Sequence, residues 1–166
     1  YMGASGMSAK LSNFVKKNYS DTKSDMSTAF MEKTLKMCKT SGFMSMINIP
    51  VWMTLKSFSK FRKSLLGSTT IINMVHFGRG VFGSDFGTTA FIIAKGRILK
   101  YAGKYRKLYK KQGAVSSLDE KQVLFFSGYG QYIVEQEKFS NIEGCPVAYA
   151  LNSGLIEAFQ KEKKVS

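Results

Sequence analysis

Residues 69–94 read TTIINMVHFGRGVFGSDFGTTAFIIA, and this stretch decides the predicted fold. Its two ends, 69–77 and 88–94, are rich in β-branched and aromatic residues, which favour strands. Glycines at positions 78, 80, 83 and 87 lie between the two ends and predict bends rather than regular structure. The stretch therefore predicts two strands connected by a glycine-rich loop.

The residues before this pair predict a helix and a further strand. Asp25, or the serine before it, can cap a helix over 25–39. From 46 to 55 large apolar residues recur at every second position, which is the period of a half-buried strand. Pro50 has no N–H to donate, so this strand is expected at an edge of the sheet or bulged there.

Residues 95–111, KGRILKYAGKYRKLYKK, contain eight cations and no acid. Large apolar and aromatic side chains recur there at helical spacing, and Lys and Arg fill most of the other positions. This spacing predicts a helix over 97–111 with one apolar stripe and a cationic outer face.

The last third of the chain predicts shorter elements. Ser117 is followed three residues later by Glu120, which is the spacing of a capping box and predicts a helix over 118–126. A hairpin over 125–134 is the alternative there. A strand at 146–151 and a final helix through residues 155–159 complete the prediction.

These elements predict one α+β domain with an antiparallel sheet and flanking helices. A chain of 166 residues, 44% of them hydrophobic, is long enough to build one core. We expect a flexible N-terminal arm at 1–24, with residues 1–6 interpreted as a tag remnant, and a single basic domain at 25–166.

The net charge of +14 is concentrated in the middle of the chain. Residues 33–111 hold sixteen Lys and Arg against the single acid Asp85, whereas both ends are nearly neutral. Because mixed charges would give equal solubility with less repulsion, this asymmetry predicts an anionic partner. The cations predicted to bind nucleic acid or another anionic surface are Lys56, Lys60, Arg62, Lys63, Arg79, Lys95, Arg97, Lys100, Lys104, Arg106, Lys107, Lys110 and Lys111.

Two motifs in the glycine-rich loop resemble known functional sites but lack the flanking sequence that those sites require. GRGVFG (78–83) has dinucleotide-binding spacing, but β-rich sequence follows it where a helix should begin. Asp85-Phe86-Gly87 resembles a kinase motif, but it precedes Lys95 instead of following a catalytic loop. Glycines at bends between strands are the preferred interpretation.

The sequence also lacks an evident catalytic or metal-binding set. His76 is the single histidine, and Cys38 and Cys145 have neither metal-ligand spacing nor a local context that would activate a thiol. We therefore predict no catalytic residues, no metal and no cofactor.

These observations predict a non-enzymatic basic binding or structural protein that contacts nucleic acid or nucleoprotein, with the profile of a viral matrix or nucleocapsid-associated protein. The alternatives are a peripheral membrane-associated assembly protein that binds anionic lipids, and an unrecognised small enzyme. Self-association through the Met-rich segment 43–53 is a further expectation. No apolar run approaches the length of a membrane-spanning helix. The predicted location is intracellular, in the cytoplasm or nucleus, or in the virion if the protein is viral.

Overall fold

The computed structural model describes residues 2–83 and 86–151. In these ranges the chain forms four α-helices and five strands, separated by loops and short helical turns. In chain order they are α1 (Ala9–Asn18), α2 (Met26–Met37), β1 (Phe43–Asn48), α3 (Ser59–Ser68), β2 (Thr69–Gly78), β3 (Thr88–Lys95), β4 (Ala102–Lys107), α4 (Leu118–Phe126) and β5 (Gln131–Glu135).

The strands form one sheet in the order β1-β3-β2-β4-β5. Strand β3 is antiparallel to both β1 and β2, and β5 is antiparallel to β4. Strand β4 is parallel to β2, so β1, β2 and β4 all run in the same direction. The predicted α+β class with a mostly antiparallel sheet is confirmed.

Local signals placed several elements correctly. The strand pair β2 and β3 spans the two predicted segments and their intervening glycine loop. Helix α2 begins where Asp25 accepts a hydrogen bond from the N–H of Ser27 at 2.8 Å. Helix α4 begins with the predicted capping box, in which Ser117 and Glu120 each accept from the other's backbone N–H at 3.1 Å.

The predicted helix over 97–111 is wrong, because the middle of that stretch, residues 102–107, forms β4. Along this strand Gly103 and Tyr105 are buried while Lys104 is exposed, which is a strand alternation. A Cβ atom at Gly103 would lie 2.7 Å from the carbonyl oxygen of Ile71. Glycine at this position thus lets β4 approach β2, and pairing with β2 overrides the helical spacing.

Three other boundaries differ from the prediction. Strand β1 ends at Asn48 rather than at 55, because Pro50 begins a short helical turn, Pro50–Met53, that buries Trp52. Residues 146–151 form no strand, and residues 125–134 do not pair with each other, since β5 pairs with β4 instead. The predicted helix at 155–159 lies outside the described residues.

The predicted N-terminal arm contains α1, which Ser8 caps by accepting from the N–H of Leu11 at 3.3 Å. Val15 of this helix is 1% exposed. The domain boundary at residue 24 stays a prediction.

The core lies on one face of the sheet, under α3. Side chains of β1, β2 and β3, including Met44, Met74 and Phe91, pack there against Phe61 and Leu65 of α3. This packing fixes the direction of the strands and thereby decides which loops meet at each end of the sheet.

Candidate functional site at the carboxyl ends of the parallel strands

The carboxyl ends of β1, β2 and β4 lie at one edge of the sheet because these strands are parallel. The segments that follow them are 49–55, the loop that begins at Arg79, and 108–116. Crevices outside the carboxyl ends of parallel strands are the usual ligand sites of such sheets. We call this part of the molecule the carboxyl edge.

A cavity of about 490 Å³ opens at the carboxyl edge. Its wall is mostly apolar, with residues from the segment after β1 on one side and residues 147–151 on another. His76, Tyr109 and Tyr149 contribute its aromatic and polar groups. An apolar crevice with a few polar groups is typical of a site that holds a flat organic group.

His76 is hydrogen-bonded inside this wall. Its Nδ1 lies 3.0 Å from the hydroxyl of Tyr149 and 3.4 Å from that of Tyr109. Burial, together with the smaller effect of the nearby charge of Lys107, lowers the pKa of His76 to about 4. Burial also raises the pKa of Tyr149 and of Tyr109. The three groups are therefore uncharged at neutral pH, and the wall is polar without being ionised.

We expect acid to destabilise the protein through His76. Below its ordinary pKa of 6.5 the unfolded imidazole takes up a proton, whereas the folded one does so only near pH 4. The contribution of His76 to the free energy of unfolding is therefore fully present above pH 6.5. About 3 kcal/mol of it is lost as the pH falls towards 4. Urea unfolding at pH 7 and pH 4 measures the loss, and His76→Asn should show a pH dependence smaller by that amount. Equal losses in both proteins would contradict a neutral, buried His76.

The loop after β2 is fastened to the segment after β4. Arg79 donates from Nη1 to the carbonyl oxygen of Gly113 at 2.7 Å. The backbones of Arg79 and Val115 also form an isolated parallel β-bridge. Gly80 has a φ of +97°, and a Cβ there would lie 2.5 Å from the carbonyl oxygen of Ser116. Only glycine fits at this close approach, so Gly80 has a structural role, and the described loop residues 79–83 and 86–87 form no helix whose start could bind a phosphate.

This loop also carries an exposed aromatic side chain. Phe82 is 62% exposed although phenylalanine is normally buried. The sequence predicted bends in this loop, in preference to a dinucleotide-binding or kinase motif, and neither Phe82 nor Tyr149 was predicted to be functional. The available signal was a phenylalanine among glycines directly after a strand.

The thirteen predicted binding cations are dispersed over the molecule. By position they are Lys56, Arg79, Lys107, Lys110 and Lys111 at the carboxyl edge; Lys95, Arg97 and Lys100 at the opposite edge; Lys104 and Arg106 within β4; and Lys60, Arg62 and Lys63 on α3. The cationic helix face that Lys100, Lys104 and Lys107 were expected to share does not form, because adjacent strand residues point to opposite faces.

Several of these cations bind other parts of the chain. Arg62 is 1% exposed, and its guanidinium donates to backbone carbonyl groups inside the protein. Arg97 forms an ion pair with Glu137, and Nζ of Lys95 donates to the carbonyl oxygen of Cys38 at 2.5 Å. Arg106 donates to the carbonyl group of Phe125 at the end of α4. Lys110 and Lys111 are exposed, and they line a second cavity together with residues 114–116 and residues of α4.

Comparison with known proteins shows similarity to DNA-modifying enzymes. Residues 1–82 match the family described as Eco57I restriction-modification methylase. The chain is 32% identical over 165 residues to the adenine-specific methyltransferase BrxX of Escherichia coli O9:H4 (strain HS), covering 97% of this chain and 13% of that protein. It is 34% identical over 170 residues to the adenine-specific methyltransferase PglX of Lacticaseibacillus casei (strain Zhang), covering 96% and 14%.

Solved structures share the fold at low sequence identity. The methyltransferase subunit of a type I restriction-modification system from Streptococcus thermophilus superposes with a TM-score of 0.56 at 14% identity, over 90% of this chain and 35% of that one. The DrdV–DNA complex gives a TM-score of 0.58 at 11% identity, over 89% and 16%. The type ISP restriction-modification enzyme LlaBIII, also bound to DNA, gives 0.55 at 11% identity, over 91% and 12%.

These similarities overturn the prediction of a non-enzymatic structural protein. The relatives that cover nearly the whole chain are enzymes, and they are neither viral matrix nor nucleocapsid-associated proteins. Binding to anionic membranes and location in a virion have no support among these relatives. Within 2–83 and 86–151 no helix is both long and apolar enough to cross a membrane. The chain spans 13–14% of the length of the curated relatives that it matches.

Proposed function

We propose that this chain is a segment of a longer adenine-specific DNA methyltransferase, and that its carboxyl edge faces the DNA. The observation that carries the proposal is the 32–34% identity to two adenine-specific methyltransferases over 96–97% of the chain. The DNA complexes of DrdV and LlaBIII, which share the fold, agree with it. We therefore propose that the predicted nucleic-acid partner is DNA, and that this DNA is the substrate of the enzyme.

The chemistry of the reaction explains the features of the carboxyl edge. A methyltransferase cannot reach its target atom inside a duplex, so it extrudes the base into a pocket and stacks aromatic or apolar side chains on it. The exposed Phe82, in the loop that follows β2, and the uncharged crevice at the carboxyl edge suit this task. Methyl transfer to the amino group of adenine also consumes a methyl donor, and we assign the donor to no residue of this chain.

The exposed lysines at this edge suit the phosphate backbone. Lys110 and Lys111 follow β4 on the same side as the loop that carries Phe82. Cations placed beside an extruded base neutralise neighbouring phosphates and fix the register of the protein on the duplex. Catalysis and DNA binding thus use the same edge of the sheet.

The direct test incubates the longer polypeptide with duplex DNA and a methyl donor, then identifies the modified base by mass spectrometry. We expect methylated adenine and no methylated cytosine. Methylcytosine as the product, or unmodified DNA with a folded polypeptide under conditions in which BrxX or PglX is active, would overturn the proposal.

Reversal of two lysines tests the placement of the DNA. We expect Lys110→Glu with Lys111→Glu to weaken DNA binding about tenfold or more at low salt, and to reduce the slope of log K against log salt by about 2, since two phosphate contacts are lost. The matched control is Lys60→Glu with Lys63→Glu on α3, which changes the net charge equally at exposed positions. Equal weakening in both variants would show that overall charge, rather than the carboxyl edge, decides binding.

A further inference from the structure

The segment after β4 and the loop after β2 leave the sheet in contact with each other. The N–H of Leu108 donates to the carbonyl oxygen of His76 at 2.9 Å. Tyr109 is buried and packs against Gly78, where a Cβ atom would lie 2.7 Å from Cδ1 of the tyrosine ring. These contacts form a first connection between the two segments, next to the strands.

A second connection lies further along the same segment. Nη1 of Arg79 donates to the carbonyl oxygen of Gly113 at 2.7 Å, and the backbone of Arg79 forms a parallel β-bridge with that of Val115. The next residue, Gly80, lies so close to Ser116 that a Cβ atom would be 2.5 Å from its carbonyl oxygen. The loop is therefore held by its first two residues.

The two connections place the exposed lysines and the exposed phenylalanine of the carboxyl edge on one unit. Lys110 and Lys111 lie between the two connections along the chain. Phe82 follows Gly80 by two residues, so its Cα stays within about 7 Å of the Cα of Gly80 even in a fully extended chain. The distance between the stacking side chain and the lysine pair is therefore restricted.

Arg79 makes the side-chain hydrogen bond of the second connection. It is half-buried, and its guanidinium donates to a backbone carbonyl group of the neighbouring segment. A hydrogen bond from a charged donor is about twice as strong as one between neutral groups. A reacting group that is misplaced by about 1 Å can reduce a rate by about 100-fold, so the position of this loop matters for a base that must be held in place.

We propose that Arg79 is a positioning residue. It holds the loop that carries Phe82 against the segment that carries Lys110 and Lys111, so that one rigid unit engages both the extruded base and the neighbouring phosphates. Arg79 itself contacts neither of them. The catalytic consequence rests on the proposed function, whereas the order of the loop rests on the contacts of Arg79 within the protein.

Limited proteolysis of the longer polypeptide tests the attachment of the loop without DNA. Chymotrypsin cleaves after phenylalanine, and a loop must open locally before it fits a protease. We expect Arg79→Ala to accelerate cleavage after Phe82 by about tenfold, as measured by mass spectrometry of the peptide that ends there. Arg97→Ala is the matched control, since it removes the same charge and an ion pair with Glu137 at the opposite edge of the sheet. Its cleavage rate should stay within about twofold of the wild type.

Methylation kinetics of the same preparations test the consequence for catalysis. We expect Arg79→Ala to lower kcat by about tenfold while the Kd for DNA stays within about twofold, because the lysines that contact the phosphates remain. Arg79→Lys should lie between Arg79→Ala and the wild type in both cleavage rate and kcat, since an ammonium group can still donate to the carbonyl oxygen of Gly113.

Three results would overturn the proposal. Unchanged cleavage in Arg79→Ala, or equal acceleration in Arg97→Ala, means that Arg79 does not hold the loop. Weaker DNA binding by Arg79→Ala, with a salt slope reduced by about 1, means that Arg79 contacts a phosphate directly. Arg79→Lys as impaired as Arg79→Ala means that the donated hydrogen bond is not the cause.

The two measurements separate this inference from the proposed function. A wild-type polypeptide that methylates no adenine contradicts the proposed function, and the cleavage rates still decide whether Arg79 holds the loop. A polypeptide that methylates adenine, with wild-type cleavage and kcat in Arg79→Ala, contradicts only this inference.

Discussion

Replacement of Arg62 by alanine is expected to lower the free energy of unfolding by about 4 kcal/mol, the largest stability effect that we predict. The Nε of Arg62 donates to the carbonyl oxygen of Gly144 at 2.9 Å, and Nη1 donates to those of Trp52 at 3.0 Å and Leu55 at 2.6 Å. Alanine would remove the guanidinium donor from all three carbonyl groups, of which, among the described residues, only that of Leu55 also accepts a backbone N–H, from Phe58, and it would leave a cavity in place of a long side chain. Denaturant unfolding measures the difference.

The neighbouring residue supplies the control for this prediction. Lys63 is exposed on the same helix, so Lys63→Ala should change the unfolding free energy by no more than about 0.5 kcal/mol. Arg62→Lys is expected to recover only part of the loss, because an ammonium group cannot reproduce the planar fork of donors. If Arg62→Ala were as stable as Lys63→Ala, the buried guanidinium would not hold these segments together.

Replacement of Phe82 by alanine is expected to reduce kcat/KM for DNA methylation by about 10- to 100-fold, since stacking on one base contributes about 1–3 kcal/mol. The folded structure should be unaffected, because the side chain is 62% exposed and has little packing to lose. Phe82→Trp should retain most of the activity, as any aromatic ring can stack on a base. Steady-state methylation and thermal unfolding of the same preparations separate the two effects.

Phe126 provides the matched control for Phe82. It is an exposed phenylalanine, 77% accessible, on α4 rather than in the loop at the carboxyl edge. Phe126→Ala should leave methylation unchanged within about twofold. Similar losses from both substitutions, or full activity of Phe82→Ala, would remove Phe82 from the proposed site.

The elements that the sequence predicts well are those whose cause is local. The capping box at Ser117 and Glu120 satisfies backbone groups within four residues, so it defines the start of α4 without help from the rest of the fold. The β-branched runs of β2 and β3 are close in the chain and pair with each other. Asp25 likewise caps α2 through its own neighbours.

The candidate site was less predictable because its parts come from distant segments. His76 lies on β2, Tyr109 follows β4 and Tyr149 follows β5. Only the tertiary fold brings these three side chains into contact. The charge count predicted an anionic partner but not the part of the protein surface that would bind it, since exposed Lys110 and buried Arg62 look alike in the sequence. The similarity to enzymes was missed because the sequence shows no recognisable catalytic motif, and only comparison with longer methyltransferases indicated it.

The amino-acid sequence by itself determined the α+β class, α2, α4, the β2–β3 pair and the basic middle of the chain, because propensities, caps and charges act over a few residues. Only the tertiary structure decided that residues 102–107 form a strand, since its spacing also fits a helix and pairing with β2 outweighs that preference. The tertiary structure likewise decided that Arg62 is internal and that Phe82 and Lys110 share one edge of the sheet. Strand order and direction bring these residues into place, and contacts between distant segments determine both.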